Sequence, residues 1–313
     1  MSDKRSLRFR LADVLYLALT ILPLVAGMAI KVLTTPPSEG ISITGALVFV
    51  TVPFPLQPLI ISESQVNSLL VTLTILGLCL YLTHGIRAQV KTRRQLLAEW
   101  IVEKVDGMVK ENMGDAFFGF GPFVAAILGL SALSSLSSLL GLYPPTSDIN
   151  VTGGWAVLVF ILITYYKLKC GPWHYIKSFG DPVAALAPMN LISEVATPIS
   201  MAFRHYGNIL SGTIVSVLVA SGLEGLSAKL FGALPGFLGE FPFLRVGIPA
   251  LLSVYFDVFS GCLQAYIFAV LTMLYVSSAF PQEDYAKRRL RKQERQQRRL
   301  ARKQERASAA ACK

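Results

Sequence analysis

The sequence predicts an all-α polytopic membrane protein with about six transmembrane helices, the last two long and strongly tilted, plus a cytoplasmic amphipathic helix. Two observations about the whole chain carry that prediction. Of 313 residues, 53% are hydrophobic and only 15% charged, and the mean hydropathy is +0.54, a profile outside the range of soluble globular domains. The formal net charge is +10, but eleven Lys/Arg and two Glu lie between 287 and 306, so the tail holds +9 and the rest of the chain +1. A basic tail on an apolar body suits a solvated cytoplasmic segment near anionic membrane lipid or an acidic partner; it is a poor nucleic-acid-binding signal.

The elements follow in order. Residues 1–10 are basic, and an apolar run occupies 11–33. The run lacks a small-residue cleavage site and exceeds a signal-peptide core, so it reads as a first span entering from the cytoplasm. Residues 34–65 form a connector. Pro53, Pro55 and Pro58 interrupt an apolar, β-branched stretch there, which argues against helix and for an extended or interfacial segment on the outer side. A re-entrant segment is the alternative. Span two covers 66–85. In 86–113, Leu96, Leu97, Trp100, Ile101, Val105, Met108 and Val109 recur at helical spacing among charges, the mark of an interfacial helix on the cytoplasmic side.

Span three covers 117–142 and is rich in Ser, Gly and Ala, which let helices approach closely in lipid. Span four covers 153–166, followed by a basic loop over 167–177. Span five covers 189–222, a Gly- and Pro-rich loop 223–245, and span six 246–279. Each of the last two is long enough to run about 50 Å as helix at about 1.5 Å per residue. The hydrocarbon core is only about 30 Å thick, so both must tilt, kink or extend beyond it. Pro198 stands where it would kink span five just before Arg204. The 86–113 and 167–177 loops and both ends are basic, and the other loops are not. Six spans with both termini in the cytoplasm therefore satisfy the positive-inside rule.

Cys79, Cys170, Cys262 and Cys312 are widely separated, and His84, His174 and His205 are scattered. No metal site, disulfide framework or cofactor motif is indicated. Cys79 and Cys262 read as small core residues.

The chemistry concentrates in spans five and six. Read as a helix, Ser193, Thr197, Ser200, Arg204, Asn208 and Ser211 share one stripe, because residues three and four apart are neighbours on a helix surface. An arginine within a hydrocarbon-length helix costs about 2.5–3.5 kcal/mol on insertion scales, so a chain that keeps one there uses it. Span six carries a second stripe: Ser253, Asp257, Ser260 and Gln264. A carboxylate in an apolar helix is by default a proton or cation site; a structural pairing of Asp257 with Arg204 or Lys229 is the alternative. Glu194, near the cytoplasmic start of span five, reads equally as the lining of an entrance or as a helix-end carboxylate favoured by the dipole. A guanidinium stays protonated and cannot relay protons, so Arg204 blocks them or attracts an anion. Two striped helices, one with a permanent cation and one with a carboxylate, describe an ion path.

At these residues the chain resembles subunit a of F-type ATP synthases. The resemblance rests on PMNLISEVATPISMAFRHYGN (188–208), YFDVFSGCLQAYIFAVLTMLY (255–275) and PPTSDINVT (144–152). It covers about residues 60–280. It implies a non-catalytic ion-translocating subunit in the cell membrane that passes H⁺ or Na⁺ through two half-channels to the carboxylates of a rotating c-subunit ring. Its partners would be that ring, the peripheral-stalk b subunits and the rest of the synthase. Arg204 would face the ring, draw each ring carboxylate into its ionised form and stop direct leakage. Asn208, Asp257 and Gln264 would line the outer half-channel; Glu194 and Ser200 would sit by the cytoplasmic one. Some relatives carry an acid five residues after the matching asparagine and a histidine on the last helix. Here those positions are Thr213 and Asp257, so Asp257 would do that work alone. The resemblance divides the chain into an added span and connector (1–65), a subunit a-like domain (66–280) and a basic cytoplasmic tail (281–313). An ion-coupled secondary transporter would need a substrate cavity and broken helices in two halves, and no internal repeat is visible. In a non-transporting membrane scaffold the polar stripes would be helix–helix glue.

Overall fold

A computed structural model describes residues 2–34, 45–55, 58–86, 92–169, 175, 179, 187–231, 243–280 and 290. The basic tail lies outside the described residues apart from Leu290, and so does most of the 167–177 loop. Among the described residues, six helical segments are long and apolar enough to cross a membrane: Arg10–Thr34, Glu63–Thr83, Asp115–Leu140, Ile149–Lys169, Ala187–Phe231 and Gly247–Ser278. The protein is an all-α polytopic membrane protein, as the hydropathy pattern predicts.

Helix α1 (Ser2–Thr34) packs along α2 (Glu63–Thr83). The crossing is tight because α2 offers Gly77: a Cβ there would stand 2.7 Å from the backbone of Leu19 and Thr20. Close approach through a small residue is how helices associate in lipid, where apolar burial supplies little drive. Between them the connector forms an antiparallel hairpin, β1 (Val48–Val52) with β2 (Leu59–Ser62). Extended structure is what the β-branched run favours, and the three prolines sit outside both strands. Gln65 Oε1 accepts from the Ser62 N–H at 3.4 Å and helps start α2.

Thr92 caps α3 (Arg93–Met113) by accepting from the Gln95 N–H, and Gly114 at φ 78° ends it. Val105, Val109 and Met113 of α3 turn into the bundle, while Leu96, Leu97, Trp100 and Ile101 stay exposed. A 3₁₀ turn (Asp115–Phe120) leads into α4 (Gly121–Leu136), and a second (Ser137–Leu140) ends it at Gly141, φ 73°. Then come α5 (Ile149–Lys169) and α6 (Ala187–Phe231). The last crossing is composite: α7 (Phe243–Ser253), a π-helical segment (Val254–Ser260) and α8 (Gly261–Ser278).

Two differences from the sequence-based expectation concern these last helices. Helix α6 runs 45 residues, about 68 Å at about 1.5 Å per residue. It extends nine residues past Gly222, because Leu223–Phe231 are mostly good helix formers and the glycines cost only about 1 kcal/mol each. The π-helical segment also interrupts span six, so its polar residues do not follow a straight 3.6-residue stripe.

Polar contacts fix which ends lie together. Lys31 pairs with Glu63 at 3.3 Å. Ser64 donates to Asp148, and Asn67 donates to the Tyr143 carbonyl at 2.9 Å. At the other end, Asp13 accepts from Arg94 at 2.7 Å and contacts His84 at 2.9 Å. The apolar core joins α3, α4, α5, α6 and α8 around Met113, Val124, Val159, Met201, Phe268 and Met273.

Candidate ion path between α4, α6 and the last crossing

Helix α6 has two faces of opposite character. Pro198, Met201, Ala202, His205, Ile209 and Gly212 are buried against the bundle. Ser193, Ser200, Arg204 and Ser211 are exposed, amid Ile199, Phe203 and Leu218. The structure thus places the stripe on the outer face. Several of its hydroxyls are satisfied within the helix: Thr197 donates to the Ser193 carbonyl at 2.8 Å and Ser211 to that of Asn208 at 3.1 Å. This back-bonding makes small polar residues tolerable in lipid.

Among the described residues, no carboxylate lies within ion-pair distance of Arg204. The pairs formed are Lys31–Glu63, Asp13–Arg94, Asp13–His84, Lys110–Asp115 and Lys167–Glu194. The structural pairing of Asp257 with Arg204 or Lys229 is therefore not formed. A guanidinium at mid-helix with no ion-pair partner among the described residues needs an anion from elsewhere.

Asn208 links the two helices: its Oδ1 accepts from Ser260 Oγ at 2.9 Å. One turn further along, Gly212 admits the ring of Phe256; a Cβ at Gly212 would stand 3.1 Å from it. The π-helical segment fills this junction. Widening the turn between residues 254 and 260 turns Asp257 toward α4, where it is half-buried and meets the Ser138 side chain. Gln264 then points inward and is buried. Gly261 is needed here because a Cβ would stand 2.7 Å from Ser135 Cβ. Asp257, Asn208 and Gln264 thus come from two helices to one inward-facing seam, while Ser200 and Arg204 face out.

Glu194 sits apart from that seam, near the start of α6. Its side chain is 6% exposed and pairs with Lys167 at 3.1 Å, and Tyr175 donates to the same oxygen at 3.0 Å. Burial, with the hydrogen bond to Glu194, pushes the Tyr175 hydroxyl up to about 12. Tyr175 therefore stays a donor at physiological pH.

One site residue was not legible in the sequence. His205 is fully buried between Ser131 of α4, Trp155 of α5 and Phe268 of α8. Its Nε2 lies 3.2 Å from Ser131 Oγ. The only local signal was a histidine beside the arginine, because every partner is contributed by another helix.

The chain is similar to known proteins. The family described as ATP synthase A chain matches residues 66–277. ATP synthase subunit a of Priestia megaterium is 35% identical over 227 residues, covering 68% of this chain and 91% of that protein. The subunit a of Listeria welshimeri is 32% identical, covering 67% and 90%. That of Staphylococcus carnosus is 30% identical, covering 67% and 86%. The chain belongs to the ATP synthase A chain family.

Proposed function

We propose that this chain is the stator ion-channel subunit of an F-type ATP synthase membrane sector, with Arg204 facing a ring of c subunits. One observation carries the reading: the only charge on the exposed outer stripe of the middle of α6 is an arginine without an ion-pair partner among the described residues. A permanently protonated guanidinium favours the ionised form of any carboxylate brought to it. A ring carboxylate arriving at Arg204 gives up its ion, and the guanidinium bars direct passage between the two half-channels.

The outer half-channel runs along Asn208, Asp257 and Gln264. The cytoplasmic one opens beside Ser200 and Glu194, where Lys167 and Tyr175 hold the carboxylate in place. Residues 66–280 form the conducting domain. Residues 1–65 add a span latched at one end by Lys31–Glu63 and at the other by Asp13–Arg94, and 281–313 form a basic tail. Both termini lie in the cytoplasm, the cell membrane houses the chain, and b subunits of the peripheral stalk complete its contacts. The subunit is not catalytic by itself and works only within the synthase complex. A secondary transporter or an inert scaffold has no use for a lone cation on an outward face.

Purification of the tagged protein in mild detergent tests this. It should bring down a small two-helix proteolipid and an ATPase activity that a carboxyl-modifying reagent inhibits. A homogeneous preparation lacking both would contradict the reading.

A further inference from the structure

Two buried polar atoms near the seam find no hydrogen-bond partner among the described residues: Ser135 Oγ and His205 Nδ1. Both residues are almost wholly enclosed, at 1% and 0% exposure. Buried groups of this kind are satisfied by protein or by bound water. The two atoms belong to one line. On α4 and the turn after it, Ser131, Ser134, Ser135 and Ser138 recur at spacings of three, one and three, which puts them on one helical face. Ser138 meets Asp257 and donates to the Ser135 carbonyl at 2.7 Å. Ser135 presses on Gly261 at the foot of the π-helical segment. Ser131 meets His205 at 3.2 Å. The line descends about 10 Å along the helix axis, from Asp257 to the turn of α6 that carries Arg204.

We propose that this serine line and His205 form the inner stretch of the outer half-channel, carrying protons from Asp257 toward the face of α6 that bears Arg204. The inference rests on the ion-channel reading above. Serine hydroxyls donate and accept, so with water between them they make a continuous file. An imidazole ends the file. It takes a proton at the nitrogen facing Ser131 and releases one from the other, so one proton enters, one leaves and the ring returns neutral. Among the described residues, the hydrogen-bond and ring contacts of His205 from other helices are Ser131, Trp155 and Phe268, none of them charged. The nearest charge in sequence is Arg204, which is exposed where His205 is buried. An imidazole carries a proton and offers an alkali cation little, so the coupling ion on this path is H⁺.

The test uses the whole synthase in membrane vesicles, with Cys79, Cys170, Cys262 and Cys312 replaced by serine. Ser131→Cys and Ser135→Cys should react with silver ion and lose ATP-driven acidification. Val157→Cys, on an apolar face of α5 exposed away from the seam, should neither react nor lose activity. In membranes stripped of the catalytic head, His205→Gln keeps a hydrogen-bonding side chain but cannot carry a proton. Passive proton flow should fall about a hundredfold, the usual scale of a lost positioned acid–base group, while the unstripped membranes still carry the assembled synthase in normal amount. Silver-insensitive Ser131→Cys, or wild-type flow in His205→Gln, would overturn the proposal. If His205→Gln fails to assemble, the silver reaction at Ser131 and Ser135 decides. Arg204→Ala serves as the separate control. Loss of coupling there, alongside wild-type flow in His205→Gln, sinks only the serine–histidine path. Intact coupling in Arg204→Ala sinks the ion-channel reading itself.

Discussion

At the scale of single residues, charges in apolar surroundings decide the chemistry. Asp257 is the one acid at the seam among the described residues, and it meets the Ser138 side chain. Asp257→Asn should keep the neighbouring packing and cut ATP-driven ion pumping about a hundredfold, the usual scale of a lost acid–base group; pumping in inverted vesicles measures it. Lys167 holds a buried carboxylate. Lys167→Met leaves Glu194 with Tyr175 alone, and stability should fall by about 1–3 kcal/mol, read as a lower midpoint of thermal unfolding in detergent. The tyrosine limb of that clamp has a simple pH dependence. Its value is raised from the ordinary 10.0 to about 12. The stabilisation is whole below pH 10 and is lost as pH rises through about 12. Varying pH between 6 and 9 should therefore leave the stability difference between wild type and Tyr175→Phe unchanged. Arg204 and Asp257 were legible in the sequence because a charge stands out in an apolar helix. The partners of His205 were not, since Ser131, Trp155 and Phe268 lie far away along the chain and only packing brings them together.

At the scale of elements, hydropathy located all six spans, because the length of an apolar run is a property of the run itself. The π-helical segment was not legible. A widened turn carries no periodic signal, and here it answers to neighbours: Gly261 against Ser135 and Phe256 against Gly212. The extent of α6 was also misjudged, because Gly222 and Gly225 suggested a loop where the helix continues to Phe231. The pairing of α1 with α2 makes a further prediction. Gly77→Val would place methyl groups where α1 backbone stands, costing about 1–3 kcal/mol as overpacking does. Protease sensitivity of α1 in the purified complex should rise, while the reverse pair of contacts at Asp13 and Lys31 holds the helix nearby. Unchanged sensitivity would mean that the two helices part easily at that crossing.

At the scale of the whole molecule, the protein is a bundle with one unfinished face. Asn208, Asp257 and Gln264 turn inward to a seam between α4, α6 and the last crossing, and α6 presents the other way a long apolar surface with Arg204 as the cation at its middle. Lipid would satisfy the apolar part of that surface but not Arg204. The proposed ring, bringing carboxylates past in turn, would satisfy both. The family was legible from the sequence at 188–208 and 255–275, where the residues of the seam and of the outward stripe lie. The most direct test replaces Arg204 with alanine in the assembled synthase and measures ATP synthesis driven by an imposed ion gradient. Normal assembly with synthesis abolished is the predicted result. Normal assembly with synthesis intact would contradict the role assigned to Arg204.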